Sequence, residues 1–311
     1  MDIHVILIST MAAAIRAGTS LLIATLGEIL AEKVGNLNLG LEGMMLMGAM
    51  TGFIAAYVTE NPWIGLLAAM LVGGAMALLH AFVTVTLQAN QVVSGLALTL
   101  LGTGMSAFFG PTYVGKLGPA FSKVPIPVLS EIPVLGPVFF NQDPTVYIGF
   151  LLVPLIWFWL YKTRPGLHMR LVGENPAAAD SVGINVAQQR YIYVVLGGML
   201  AGLAGASLSL AYTPGWKDFM VAGRGWIAIG LVIFAMWNPV RAIYGAFLFG
   251  IVNALQFSAQ TYGIRISIFV LQMMPYLFTV AALAIVSRDA VRKKIAMPSA
   301  LTLPYKRGER C

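Results

Sequence analysis

Residues 44–81 read MMLMGAMTGFIAAYVTENPWIGLLAAMLVGGAMALLHA, two apolar stretches separated by Thr59-Glu60-Asn61-Pro62. Each stretch approaches the roughly 20 helical residues needed to cross about 30 Å of bilayer hydrocarbon. Residues 226–259 read WIAIGLVIFAMWNPVRAIYGAFLFGIVNALQFSA and carry the same punctuation at Asn238-Pro239. An asparagine before a proline suits a helix start, since the side chain can cap and the proline takes the first helical position. Both passages therefore predict a span, a break and a further span.

Such runs recur along the whole chain, near 5–27, 39–58, 62–87, 91–109, 144–161, 191–212, 239–258 and 264–287, with a shorter one at 223–237. With 59% hydrophobic and 10% charged residues and a mean hydropathy of +0.83, the chain has no polar face to offer water. The expected fold is an all-α polytopic membrane protein with about nine spans (about 8–10), inverted repeats and broken helices. A single membrane domain covers 1–287 and a basic tail 288–311. The first run carries Arg16 and no small-residue cleavage site follows it, which argues against a cleavable signal peptide. The single cysteine, Cys311, excludes a disulfide framework and a thiolate metal site.

The net charge of +7 is distributed by membrane side and does not call for nucleic acid. Lys162, Arg164, Arg170 and Arg190 flank residues 173–184 of the 163–190 segment, against Glu174 and Asp180. The tail carries Arg288, Arg292, Lys293, Lys294, Lys306, Arg307 and Arg310. The positive-inside bias places both in the cytoplasm. Loop 110–143 then lies outside, where Lys116 and Lys123 are balanced by Glu131 and Asp143. Its prolines at 111, 119, 125, 127, 133 and 137 forbid a continuous helix, yet it is apolar enough to pack. It either docks an external partner or rests as a lid on its own spans.

The two Asn-Pro passages face opposite sides on this count, so the halves, about 28–109 and 215–287, read as an inverted repeat. In that architecture substrate sites lie near the midplane, where broken helices meet. The discontinuous segments are 35–43, with interleaved glycines and asparagines, and 220–226, with Gly223-Arg224-Gly225. Backbone that leaves helical geometry at membrane depth is tolerated only where it is buried in protein or lines water. Asn36, Asn38, Glu42 and Trp226 are thus candidates for the lining of a pathway. Glu42 is either a pathway carboxylate or an anion at a helix N-terminus. Gln91, Ser94 and Thr99 at the start of the fourth span, Asn253 and Gln256 in the 239–258 run, and Gln272 either hydrogen-bond between helices or meet a polyhydroxylated or heteroaromatic solute. His80 reads as a packing residue. Gly197, Gly198, Gly202 and Gly205 form a small-residue face for close helix packing.

Residues 173–184, GENPAAADSVGI, predict a short surface helix with Asn175 as cap, Pro176 first, three alanines, and Gly183 ending it. It is either a partner contact or a plain surface loop. No phosphate-binding loop, metal-ligand spacing or nucleophile–base pair occurs. No cofactor or metal is called for, and the energy for uphill transport comes from an ion gradient or from another subunit.

The runs Gly35 to Gly48 (GNLNLGLEGMMLMG), Asn90 to Gly104 (NQVVSGLALTLLGTG) and Gly173 to Val186 (GENPAAADSVGINV) together resemble the permease subunits of bacterial ABC importers for nucleosides and simple sugars. These belong to the larger branched-chain amino acid and ribose permease group, and the likeness covers about residues 27 to 287. It implies a permease, not an enzyme, with ATP hydrolysis on a separate subunit. It further implies a second permease of the same type, an external or periplasmic solute-binding protein, a small-molecule substrate and surrounding membrane lipid. The Gly173–Gly183 stretch would be the coupling helix that docks in a groove of the ATPase, carried by Gly173, Glu174, Asn175, Pro176, Ala177, Ala178, Asp180 and Gly183. Asn38, Gly40, Glu42 and Gly43 look closest to the purine-nucleoside branch, while Thr99 departs from the asparagine expected there, so nucleoside and simple sugar both stand. The alternative is an ion-coupled secondary transporter with Glu42 as its coupling carboxylate, and a passive channel comes third.

The charge distribution makes a direct prediction about sidedness. A reporter fused at Lys306 is expected in the cytoplasm and one inserted near Lys123 outside; finding both on one side would overturn the span count.

Overall fold

The computed structural model describes residues 3–261 and 297–306, with single positions between 270 and 284. Gln272, most of the 264–287 run, and the tail on either side of 297–306 lie outside the described residues. The helices are α1 (Ile3–Lys33), α2 (Leu41–Thr59), α3 (Pro62–Ala81), α4 (Gln91–Phe109), α5 (Pro144–Lys162), α6 (Arg164–Glu174), α7 (Pro176–Ser181), α8 (Val186–Ser207), α9 (Arg224–Phe234) and α10 (Pro239–Thr261). A wide turn continues α3 through Thr86, and another continues α8 through Tyr212. Among the described residues six helices are long and apolar enough to cross a membrane, α1 to α5 and α8. At 23 residues α10 has the length as well, whereas α9 is short.

Two boundaries differ from the sequence reading. The first helix continues past residue 27 to Lys33, so Glu28 and Glu32 are part of α1. The 163–190 segment holds two helices: Thr163 caps α6 by accepting from the Gly166 amide at 3.2 Å, and Gly173 and Glu174 end α6 without entering α7. An Arg-Pro pair at the start of α6 offers a helix start that apolar periodicity does not reveal.

The bundle has two distinct ends. At one, Gln142 Nε2 donates to the Ala12 carbonyl at 3.4 Å, and Phe121 N donates to Leu210 O at 2.8 Å, so loop 110–143 meets the first turns of α1 and the close of α8. That loop contains a two-residue ribbon, β1 (Val124–Pro125) paired antiparallel with β2 (Asn141–Gln142). Val138 packs against Ile15 and Val146, while Leu117 and Val128 stand out at 94% and 77% exposure. At the other end lie the close of α1, α6, α7 and residues 297–306.

Both Asn-Pro pairs are helix starts. Asn61 accepts from the Trp63 amide at 2.9 Å and Asn238 from the Val240 amide at 2.9 Å. Each follows a left-handed residue: Glu60 (φ 54°) is the C-cap of α2, and Trp237 (φ 53°) lies in the turn after α9.

The core is built on α8, of whose span 78% is buried, packed against α1, α2 and α3. Its glycines act as the small-residue pattern predicts. A methyl at Gly197 would sit 2.6 Å from the Gly27 carbonyl oxygen of α1, and one at Gly198 2.6 Å from that of Gly73 in α3. Such backbone-to-backbone approach is how helices gain packing where water provides no drive between them.

A substitution follows from this geometry. A methyl at Gly48 of α2 would lie 2.5 Å from the Gly202 carbonyl oxygen, whereas one at Gly104 meets nothing within 4 Å. Gly48→Ala is expected to cost about 1–3 kcal/mol and to lower the melting temperature in detergent, with Gly104→Ala unchanged; equal melting of the two would contradict the packing.

Candidate translocation and coupling sites

Between α1 and α2 the chain leaves helical geometry. Gly35, at φ +88°, ends α1, with its amide on Glu32 O at 2.9 Å and that of Asn36 on Ala31 O at 3.0 Å. Residues 36–40 are then buried or nearly so without helical bonds, and Asn36 is wholly enclosed. Neighbouring side chains take over the missing partners. The Leu37 amide donates to Gln91 Oε1 at 2.7 Å and the Asn38 amide to Glu28 Oε1 at 2.9 Å. Asn38 Oδ1 accepts from the Gly40 amide at 3.0 Å, and Leu39 O accepts from Thr99 Oγ1 at 2.9 Å. His80 Nε2 lies 3.1 Å from Leu37 O, which can only accept, so the imidazole donates there. Its Nδ1 lies 3.0 Å from Ser94 Oγ, and Asn36 Nδ2 donates to Thr84 Oγ1 at 2.8 Å.

Glycines let α4 approach this segment. A methyl at Gly95 would sit 2.7 Å from Leu39 N, and one at Gly102 2.6 Å from Gly43 O. The first turn of α2 is therefore laid against the middle of α4, deep within the bundle.

The second break ends at the same place. After α8 the chain runs irregularly to Gly223 (φ +81°), where α9 begins. Glu42, in the first turn of α2, accepts from the Gly223 amide at 2.8 Å through Oε1 and from the Gly225 amide at 2.7 Å through Oε2. Its carboxylate thus caps α9, where orphan amides and the helix dipole favour an anion. A methyl at Gly225 would lie 2.5 Å from Glu42 Cα, so only glycine permits the contact.

From this junction α2 and α9 run to opposite ends. The close of α2 meets loop 110–143 through the Tyr57–Tyr113 ring pair at 5.8 Å. The close of α9 reaches the other end, where Trp237 Nε1 donates to Glu32 Oε2 at 2.6 Å.

Residues 173–183 lie at that other end. Asn175 Oδ1 accepts from the Ala178 amide at 2.9 Å, Pro176 opens α7, and Gly183 (φ +85°) follows its end. Ala177, Ser181, Val182 and Gly183 are exposed, Ala178 and Asp180 are half-buried, and Ala179 is buried. The outward surface is a low face of small side chains.

The family model described as "Branched-chain amino acid transport system / permease component" matches residues 10–285. The chain belongs to that permease family. It is 41% identical, over 95% of its own length and 96% of the relative's, to "Putative glucose ABC transporter permease protein TsgC13" of Haloferax volcanii. It is 36% identical, over 89% and 91%, to "Nucleoside ABC transporter permease protein NupC" of Lactococcus lactis. It is 34% identical, over the full length of both chains, to "Guanosine ABC transporter permease protein NupQ" of Bacillus subtilis. The protein is thus a multi-pass ABC-transporter permease of the cell membrane, and ATP hydrolysis belongs to a separate subunit.

In the permease, Asn36, Asn38, Gln91, Ser94 and Thr99 gather around the 36–40 break, Glu42 fastens the start of α2 to that of α9, and Trp226 lies in the first turn of α9. Asn253 and Gln256 do not join them. A methyl at Gly250 would touch Ala14, and one at Gly18 would sit 2.7 Å from the Ala246 carbonyl oxygen, so α10 runs antiparallel to α1. Residues 253–256 therefore lie near the start of α1, before Ala14, whereas Thr25, about 16 Å along the helix from Ala14, contacts Ala228 of α9. Glu28, Glu32 and the clasping role of His80 escaped the sequence reading. A pair of carboxylates four residues apart at the end of an apolar run was the available signal.

His80→Ala would leave the Leu37 carbonyl and the Asn36 amide side chain short of a partner. Each orphaned buried group costs about 1–3 kcal/mol, so thermal stability of the purified permease should fall, with Leu79→Ala on the exposed side of α3 as the silent control. Equal melting of the two variants would remove His80 from the clasp.

Proposed function

We propose that this permease carries a nucleoside or a simple sugar inward along a route that passes the junction of α2 and α9, driven by ATP hydrolysis on a partner bound at α7. The observation that carries the reading is that two helices running to opposite ends begin at one point in the bundle interior, fastened by Glu42 to the Gly223 and Gly225 amides. Broken helices meeting from opposite directions are the expected sites of solute passage in inverted-repeat transporters. The repeat halves are then 28–109 and 215–287, with the second incompletely described. The alternation of the route follows as a rocking of one half against the other.

The remaining assignments rest on the same reading. The α6–α7 end and the basic tail face the cytoplasm and loop 110–143 faces outside, in keeping with the charge asymmetry. The exposed apolar tip of that loop is positioned to meet a solute-binding protein, and a second permease completes the membrane unit. The substrate class follows from the names of the glucose, nucleoside and guanosine relatives. Both solutes are rich in hydroxyls, and a nucleoside adds a ring that the partly exposed Trp226 could stack. Glu42 is already engaged by two backbone amides, which suits a latch better than an ion-coupling group.

Ala177→Arg places a long cation on the exposed small face without touching the buried Ala179. Association with the ATPase subunit should weaken about tenfold or more, the equivalent of about 1.4 kcal/mol, with membrane insertion unchanged. Reconstituted vesicles supply the companion measurement. ATP inside should drive accumulation that resists an uncoupler, and accumulation on a proton gradient without any ATPase would contradict the reading.

A further inference from the structure

Residues 297–306 form neither helix nor strand, yet they are tied to four separate parts of the permease. The Ala300 amide donates to Gly173 O at 2.9 Å, and Ser299 Oγ donates to Glu174 Oε2 at 2.9 Å, which fixes the segment to the α6–α7 corner. A methyl on Gly35 would sit 3.2 Å from Ala300 O, so the same residue lies against the α1–α2 break. Arg190 Nη1 donates to Leu303 O at 3.1 Å, and Gln88 Nε2 donates to Tyr305 O at 3.1 Å, which ties the segment to α8 and to the α3–α4 turn. Ala300 is 3% exposed, and Leu301 and Tyr305 pack on the core.

Arg190 sharpens the picture. It is 2% exposed, and among the described residues its Nε and Nη2 have no partner. A buried guanidinium needs its bonds, because an uncompensated buried charge is strongly destabilising. Its bond to Leu303 therefore holds the tail segment docked as much as it serves the arginine.

The geometry points to residues 297–306 as a brace that transmits displacement of α7 to the Gly35–Gly40 break, with Arg190 and Ser299 as positioning residues. The inference rests on the reading of α7 as the ATPase contact. The corner Gly173–Glu174 is the root of α7, and the residue bonded to it, Ala300, also touches the residue where α1 ends. A push on α7 thus reaches the break through one peptide unit, alongside the direct approach of Gly173 to the Lys33 carbonyl at the close of α1. A segment without internal helical bonds suits this role because its shape is set by what it touches.

The test uses the assembled transporter, permease with its ATPase and binding protein, in vesicles. Measured are co-purification of the ATPase, ATP hydrolysis, and solute taken up per ATP hydrolysed. In Ser299→Ala combined with Arg190→Gln, co-purification and hydrolysis should persist while uptake per ATP falls about fivefold or more, and Arg190→Lys should restore part of it. Co-purification is the readout of α7 docking, so its loss in the unsubstituted protein would strike the earlier reading and not the brace. Uptake and hydrolysis falling in proportion, or both unchanged, would overturn the brace. Should the double variant fail to insert, cysteines at 174 and 299 in a Cys311→Ser background give a second measurement. Cross-linking them should leave uptake intact, because brace and corner move together; uptake lost on oxidation and regained with reductant would overturn the proposal.

Discussion

Everything in this permease turns on how an unhelical stretch of backbone is kept inside an apolar bundle. Residues 36–40 lack the backbone ladder of a helix, and a buried amide or carbonyl without a partner costs about 1–3 kcal/mol. Gln91, Glu28, His80 and Thr99, borrowed from three helices, take those bonds. The position of α1, α3 and α4 around the break is therefore a consequence of hydrogen-bond demand as well as of packing. Close approach follows, because short side-chain bonds to backbone require helices to touch, and Gly43, Gly95 and Gly102 remove the methyl groups that would hold them apart.

The same demand arises at the start of α9 and is met by a single side chain. Glu42 satisfies the Gly223 and Gly225 amides at once, so the first turns of α2 and α9 are held as one unit while their far ends point to opposite faces. Displacing α2 relative to α9 would strain a charge-assisted pair of hydrogen bonds, stronger than neutral ones. At the other end the Trp237–Glu32 bond ties α9 to the close of α1, beside the corner that carries α7.

Much of this was legible in the residues. Apolar runs and Asn-Pro starts are local signals, and the structure realises them as capped helices at Asn61, Asn175 and Asn238. The glycine-rich run at 35–43 and the Gly223–Gly225 pair were legible as breaks because glycine is poorly suited to helix interiors. That the two meet was not legible, since 181 residues separate Glu42 from Gly223 and no periodicity encodes such pairing. His80 read as packing because a lone imidazole on an apolar face shows nothing of the carbonyl opposite it. Asn253 and Gln256 read as pathway residues from polarity alone, whereas the antiparallel register of α10 on α1 sets them apart from the junction. The helix α6 was missed because its few apolar residues do not make a span and its start lies in the charged 162–170 stretch.

The central claim is that the non-helical 36–40 segment is a fixed, side-chain-clasped part of the membrane interior. Hydrogen–deuterium exchange on the reconstituted permease tests it most directly, by comparing the amides of residues 37, 38 and 40 with those of the exposed loop near 115–123. The account predicts that the three amides exchange as slowly as those inside α2, and that Gln91→Ala releases the Leu37 amide first. Exchange of residues 37–40 as fast as the outer loop in the unsubstituted protein would contradict it.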